Sequence, residues 1–186
     1  ALTVSQPALI VAGSEHEGTV FDALRECGDL SEEQVYVQND HGESSNHRRV
    51  IDEMLPLGRW RELPSGVRAR GSDTFCYIYT SGTTGLPKAA VIRNQRMLGA
   101  NLVFGHLMHR SGPGDVIYVP LPLYHTNALF LGWGSALATG AAIALRRRFS
   151  ASAFWEDVRR YGATSFVYIG ELCRYLYNRP TDPSER

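Results

Sequence analysis

The sequence predicts an α/β fold in which a sheet is flanked by helices, and three observations carry that expectation. Short apolar runs alternate along the chain with stretches whose apolar residues recur at helical spacing. Gly28, Gly140 and Gly162 each stand just past such a helical stretch, where a left-handed closing residue is needed. The composition is that of an ordinary globular chain. It has 186 residues, 44% hydrophobic and 20% charged, enough for one domain with a real core.

Taken in order, residues 8–12 (Ala-Leu-Ile-Val-Ala) form an apolar run ending at Gly13 and predict a buried strand. Residues 17–27 predict a helix through Val20, Phe21 and Leu24, stopped by Gly28. A second strand follows at 35–37, a polar loop at 39–46, a helix at 47–57 with Val50, Ile51, Met54 and Leu55 on one face, and a connector at 59–73. The aromatic-rich run 75–79 predicts a strand, and 89–92 another, with a Gly/Thr/Ser loop between them. Residues 94–108 carry a helical period in Met97, Leu98, Leu102, Val103 and Phe104. A turn at 111–115 leads to a strand at 116–119, closed by Pro120 and Pro122. A helix at 127–138, a strand at 141–145, a helix capped by Ser150 and running to Tyr161, a strand at 164–169 and a short helix at 171–178 complete the series.

Zero formal net charge excludes an overall basic field for nucleic acid. Arg146, Arg147 and Arg148 read as a solvated strand end rather than a binding patch. Cys27, Cys76 and Cys173 are far apart and lack any CxxC or Cys/His spacing, so they read as reduced, buried thiols of a cytoplasmic protein and not as a metal site. The first residues show no Met and no basic stretch leading into an apolar one, which argues against a signal peptide in them. Residues 126–145 are uncharged and about as long as a spanning helix. Thr126, Asn127, Ser135, Thr139 and three glycines weaken that stretch, and Gly140 divides it into a helix and a strand, so it is not read as a membrane span.

The chemistry is concentrated in Tyr79-Thr80-Ser81-Gly82-Thr83-Thr84-Gly85-Leu86-Pro87-Lys88. Gly82 and Gly85 let the backbone turn so that successive N–H groups can face an anion. Thr80, Ser81, Thr83 and Thr84 add hydroxyls, and Lys88 adds a compact charge, a set suited to a polyphosphate. It is not the common P-loop: the glycines are too close together, and Ala89 follows the lysine. Of the 19 basic residues, Lys88 is the one lysine and the rest are arginines. An ammonium kept here, where arginine serves elsewhere, fits a confined phosphate site.

This string resembles the phosphate-binding signature of the adenylate-forming superfamily, which includes acyl-CoA synthetases, luciferases and peptide-synthetase adenylation domains. Leu121-Pro122-Leu123-Tyr124-His125 is similar to the superfamily's aromatic-His stretch near the carboxylate substrate and the α-phosphate. By its residues alone, His125 could equally be a helix-start histidine satisfied by backbone. Phe149-Ser150-Ala151-Ser152 with Phe154-Trp155, and Tyr168-Ile169-Gly170-Glu171-Leu172-Cys173-Arg174-Tyr175-Leu176, resemble the fatty acid transport protein branch of very-long-chain and long-chain acyl-CoA synthetases. The likeness is strong over residues 74–180 and only a general strand-helix rhythm before them.

The resemblance implies part of the large N-terminal domain of an adenylate-forming enzyme, with residues 1–186 an incomplete AMP-binding domain and the C-terminal domain absent. It implies Lys88 and His125 as catalytic residues. Thr80, Ser81, Gly82, Thr83, Thr84, Gly85 and Lys88 would hold ATP, and Tyr124, His125, Tyr168 and Gly170 would contact the acyl substrate. ATP, Mg2+ and coenzyme A would be its small-molecule partners, in the cytoplasm, with room for peripheral association at the cytoplasmic face of a membrane. Tyr161-Gly162-Ala163-Thr164 imitates the superfamily's adenine motif, but Ser165 stands where its Glu belongs, so Gly162 reads as a helix stop. Three other functions stay open at this point: a fatty acyl-AMP ligase that delivers to a carrier protein, a non-catalytic lipid-binding or transport module, and an ordinary nucleotide-binding protein, which the lack of a P-loop lysine-serine pair disfavours.

Overall fold

The computed structural model describes residues 2–39, 66, 68–80 and 88–180. The expected loop at 39–46 beyond Asn39, the expected helix at 47–57, and most of the expected connector at 59–73 lie outside the described residues. So do Ser81, Gly82, Thr83, Thr84 and Gly85. The chain divides into two compact units, one to Val67 and one from Arg68.

In the first unit, α1 (Leu2–Ser5) precedes β1 (Ile10–Gly13), which pairs in parallel with β2 (Val35–Gln38). Between the strands runs α2 (Glu17–Cys27). Gly28 closes α2 at φ 66°, where its missing Cβ matters, and donates to the Leu24 carbonyl. Leu24, Val35 and Val37 are buried together, with Val20, Phe21 and Ile10 against them. Strand, crossover helix and parallel strand is the arrangement that the sequence rhythm predicts.

The second unit starts with a turn that seats a helix. Asp73 accepts from Arg70 N–H at 2.7 Å, and the Arg70 carbonyl accepts from the Asn94 side chain at 2.9 Å. β3 (Thr74–Thr80) and β4 (Lys88–Arg93) pair antiparallel, with a register irregularity between Thr74 and Cys76. Ile78 points inward and Tyr77 outward, the period of two expected of a half-buried strand. α3 (Asn94–Leu102) continues without a break into a π-helical segment, Val103–His109. Arg110, at φ 53° and ψ 37°, ends it. A second π-helical segment, Asn127–Gly134, runs into α4 (Ser135–Thr139), closed by left-handed Gly140. Ile78, Ile92, Met97 and Phe130 form the core between the β3–β4 hairpin and these helices.

The central sheet has strand order β6 (Ala142–Leu145), β5 (Val116–Val119), β7 (Ser165–Phe166), all parallel. Ile117, Tyr118 and Val119 are fully buried, as the middle strand of a covered parallel sheet requires. Ile117 and Val119 pack on Ala128 and Ala136, whereas Tyr118 packs on Phe154 of α5 (Phe154–Tyr161). The helical layer touches this sheet through glycine: a Cβ on Gly132 would stand 2.6 Å from Val119 Cγ2. α6 (Gly170–Tyr177) ends the described chain.

Four expectations need correction. The strand expected over 164–169 is paired only at Ser165–Phe166, because the backbone then turns toward α6. Ser150 does not cap α5: its hydroxyl accepts from Ala153 N–H in the preceding turn, and the helix starts at Phe154. The cysteines are free, but Cys27 and Cys76 are only half-buried and Cys173 is exposed on α6. Arg146 is no solvated end, since it pairs with the buried Asp157 of α5. Gly162 does close α5, at φ 60° and ψ 38°, and Thr164 is bound to β5 through Val116.

Candidate functional site

The hairpin β3–β4 delivers the two ends of the glycine-rich loop to one place. Thr80 and Lys88 are the last paired residues, and Thr80 Oγ1 donates to the Lys88 carbonyl at 3.4 Å. Both are exposed, and among the described residues no carboxylate pairs with Lys88. Its ammonium is therefore available to an anion at the loop's mouth.

Tyr124 and His125 follow β5, on the turn that enters the second π-helical segment. His125 N–H donates to the Pro122 carbonyl at 3.1 Å, and its own carbonyl accepts from Leu129 N–H at 3.0 Å. The backbone is thus fixed while the imidazole stays exposed. The Tyr124 and His125 rings lie 4.5 Å apart, tilted by 58°.

Two cavities meet the predicted residues. One, of about 270 Å³, is lined by Leu121, His125, Thr126, Asn127 and Ile169. The other, of about 570 Å³, is walled by Phe104, Met108, His109, Leu131, Phe166 and Val167, with Asn127 and the run Tyr168, Ile169 and Gly170. Asn127 and Ile169 belong to both linings, so His125 on one side and Tyr168 and Gly170 on the other share a wall. Lys88 and Tyr124 line neither cavity. A separate crevice of about 240 Å³ among Phe75, Met97, Leu98, Trp133 and Leu137 holds none of the predicted residues.

His109 was not foreseen as a site residue. Phe104, Met108 and His109 are four and five positions apart, and the i→i+5 bonding of a π-helix brings residues at both spacings to one face. Burial lowers the pKa of His109, and a hydrogen bond donated to the Leu131 carbonyl partly offsets this. The spacing of an ordinary helix gives no sign of this placement. Among the described residues, no group of three or more His, Cys, Asp or Glu converges to hold a metal ion, and no helix is long and apolar enough to cross a membrane.

Comparisons with known proteins bear on the family and the fold. A family model described as AMP-binding enzyme matches residues 1–185. The medium/long-chain-fatty-acid–CoA ligase FadD6 of Mycobacterium tuberculosis is 51% identical over 122 residues, covering 66% of this chain and 20% of that protein. Long-chain fatty acid transport protein 2 of Rattus norvegicus is 53% identical over 113 residues, covering 59% of this chain and 17% of that protein. The chain thus spans at most a fifth of the length of these relatives. Among solved structures, apo MbtA of Mycobacterium smegmatis superposes with a TM-score of 0.77 at 20% identity, over 94% of this chain and 32% of that one. The inhibitor-bound N-terminal domain of FACL13 from Mycobacterium tuberculosis gives 0.73 at 19% identity, over 96% and 42%. At such identities the likeness is one of fold. With its family model matched along nearly its whole length, the chain belongs to the AMP-binding enzyme family.

Proposed function

We propose that this chain is the phosphate-loop and acyl-pocket segment of an ATP-dependent long- or very-long-chain fatty acid–CoA ligase. The observation that carries the reading is the wall shared by two cavities, one at His125 and the other a larger space of mixed polar and apolar lining beside Tyr168 and Gly170. A carboxylate near His125 and its hydrocarbon chain in the larger cavity would then be continuous.

In the first step a carboxylate oxygen of the fatty acid attacks the α-phosphorus of ATP, and pyrophosphate leaves. Lys88, with Thr80 and the loop Ser81, Gly82, Thr83, Thr84 and Gly85, is assigned the β- and γ-phosphates, where charge develops on the leaving group. His125 is assigned to the region between carboxylate and α-phosphate, with Tyr124 beside it. In the second step the thiolate of coenzyme A attacks the acyl carbonyl and AMP leaves. Mg2+ would share in offsetting the leaving-group charge in the complete enzyme. The protein is assigned to the cytoplasm, with peripheral association at the cytoplasmic face of a membrane as a second element of the reading; the fatty acid transport names of its relatives support only the membrane part.

The test is fatty-acid-dependent exchange of pyrophosphate into ATP by the protein that carries this chain, followed by acyl-CoA formation on adding coenzyme A. Exchange and acyl-CoA together are the expected result. Exchange without acyl-CoA assigns a different acceptor, and an absence of exchange overturns the reading.

A further inference from the structure

The arginines at the end of β6 and on α5 have no part in the site described above. Residues 146–161 hold five of the chain's 19 basic residues and only two of its 19 acidic ones, in a chain of zero formal net charge. One of those two acids is taken up inside the fold: buried Asp157 accepts from Tyr118 and pairs with Arg146. That pair holds the strand end against α5, where Arg160 follows Asp157 by three residues, one turn along the helix. Arg147, Arg148, Arg159 and Arg160 are all exposed, with Glu156 the one acid of this stretch among them. The Arg160 guanidinium lies over the Tyr161 ring, 5.4 Å from its centroid, and neither Arg148 nor Arg160 forms an ion pair among the described residues. Large aromatic rings mark both ends of α5, Trp155 at 39% and Tyr161 at 46% exposure.

We propose that the outer face of α5, with Arg147 and Arg148 beside it, is a docking surface for an anionic lipid bilayer. This deepens the functional reading above, giving its membrane element a surface, and rests on that element. A negatively charged leaflet attracts a cluster of four or more arginines on a helix, at about fivefold in affinity for each one near the surface. Trp and Tyr suit the same boundary, because each presents an apolar ring to the acyl region and a polar tip to the headgroups. Duplex nucleic acid offers the same negative charge but no apolar depth for Trp155, so the bilayer is the partner the surface favours.

The experiment is sedimentation of the protein that carries this chain with vesicles, either phosphatidylcholine alone or an equimolar mixture with phosphatidylserine. Binding is expected to the mixed vesicles and not to phosphatidylcholine, and should weaken as salt is raised. The double variant Arg148→Gln with Arg160→Gln should bind the mixed vesicles roughly twenty-fivefold more weakly. A control that removes as much charge elsewhere, Arg93→Gln with Arg96→Gln, should bind like the wild type. Pyrophosphate exchange with a water-soluble short-chain acid should be unchanged in the Arg148/Arg160 double variant. A wild type that ignores phosphatidylserine overturns the proposal, as does an equal loss in the control pair, which would reduce the effect to net charge. Binding to duplex DNA without binding to vesicles also overturns it and assigns a different partner. If exchange is absent in every protein, the ligase reading fails, and the vesicle comparison still decides the role of α5.

Discussion

Tyr118 Oη donates to Asp157 Oδ2 at 2.8 Å, so the central strand β5 is bonded to α5 through a buried carboxylate. The same oxygen accepts from Arg146 Nη1, at the end of β6. Burial first, and then the Asp157 hydrogen bond, push the Tyr118 hydroxyl far above its ordinary pKa, so it remains a donor at all working pH.

Removing the carboxylate should therefore cost more than removing the hydroxyl. Asp157→Ala leaves a buried phenol and a guanidinium without their acceptor and should destabilise by about 3 kcal/mol. The figure sits at the low end because the Arg146 side chain is 33% exposed and partly hydrated. Tyr118→Phe should cost only about 1 kcal/mol. Urea unfolding of the two single variants and the double variant checks this. Strict additivity would show that the three groups do not act together.

Two glycines on the helical layer should respond with opposite signs. Gly132→Ala places a Cβ 2.6 Å from the side chain of the fully buried Val119 and should destabilise by about 1–3 kcal/mol, less alanine's better helix propensity. At Gly99, in α3, a Cβ meets nothing within 4 Å, so Gly99→Ala should stabilise by about 0.5–1 kcal/mol. Equal effects at the two positions would contradict the packing.

Lys88→Ala should lower kcat/KM for ATP by roughly tenfold to a hundredfold through loss of one charge-assisted contact. Its exposed position predicts little change in unfolding free energy. Lys88→Arg should recover only part of the rate, because the planar guanidinium does not match a compact ammonium. Unchanged ATP kinetics in Lys88→Ala would remove the lysine from the phosphate site.

Because the folded pKa of His109 lies below its ordinary 6.5, the unfolded chain binds the proton more readily. Its contribution to stability is present above about pH 6.5 and is lost as pH falls toward the lower folded value. Between about pH 7 and pH 5, wild-type Tm should fall more steeply than that of His109→Gln. Parallel profiles would show that the ring is solvated in the native state.

Most element positions were legible because their signals are local. Gly28, Gly140 and Gly162 each adopt a positive φ at a helix end, as their positions in the sequence required. A strand on either side of one loop was legible, but its ends were not: Thr80 and Lys88, expected within the loop, are the last paired residues of β3 and β4. The acceptor role of Asp157 was not legible as a long-range bond. Still, an acid three residues after the buried Phe154 marked the inward face of α5 as polar. His109 was missed for a different reason: helical periodicity assumes ordinary winding, and Val103–His109 does not follow it.

That unusual winding lets this helix absorb a change of one residue in chain length. Losing one residue between Phe104 and His109 would restore ordinary winding there. The imidazole would then follow Phe104 by four residues instead of five and would stay on the same face. Loss of one codon here would therefore shift the lettering of the helix while keeping the wall it presents. Proteins of this family are therefore best compared at this helix by counting residues before matching letters.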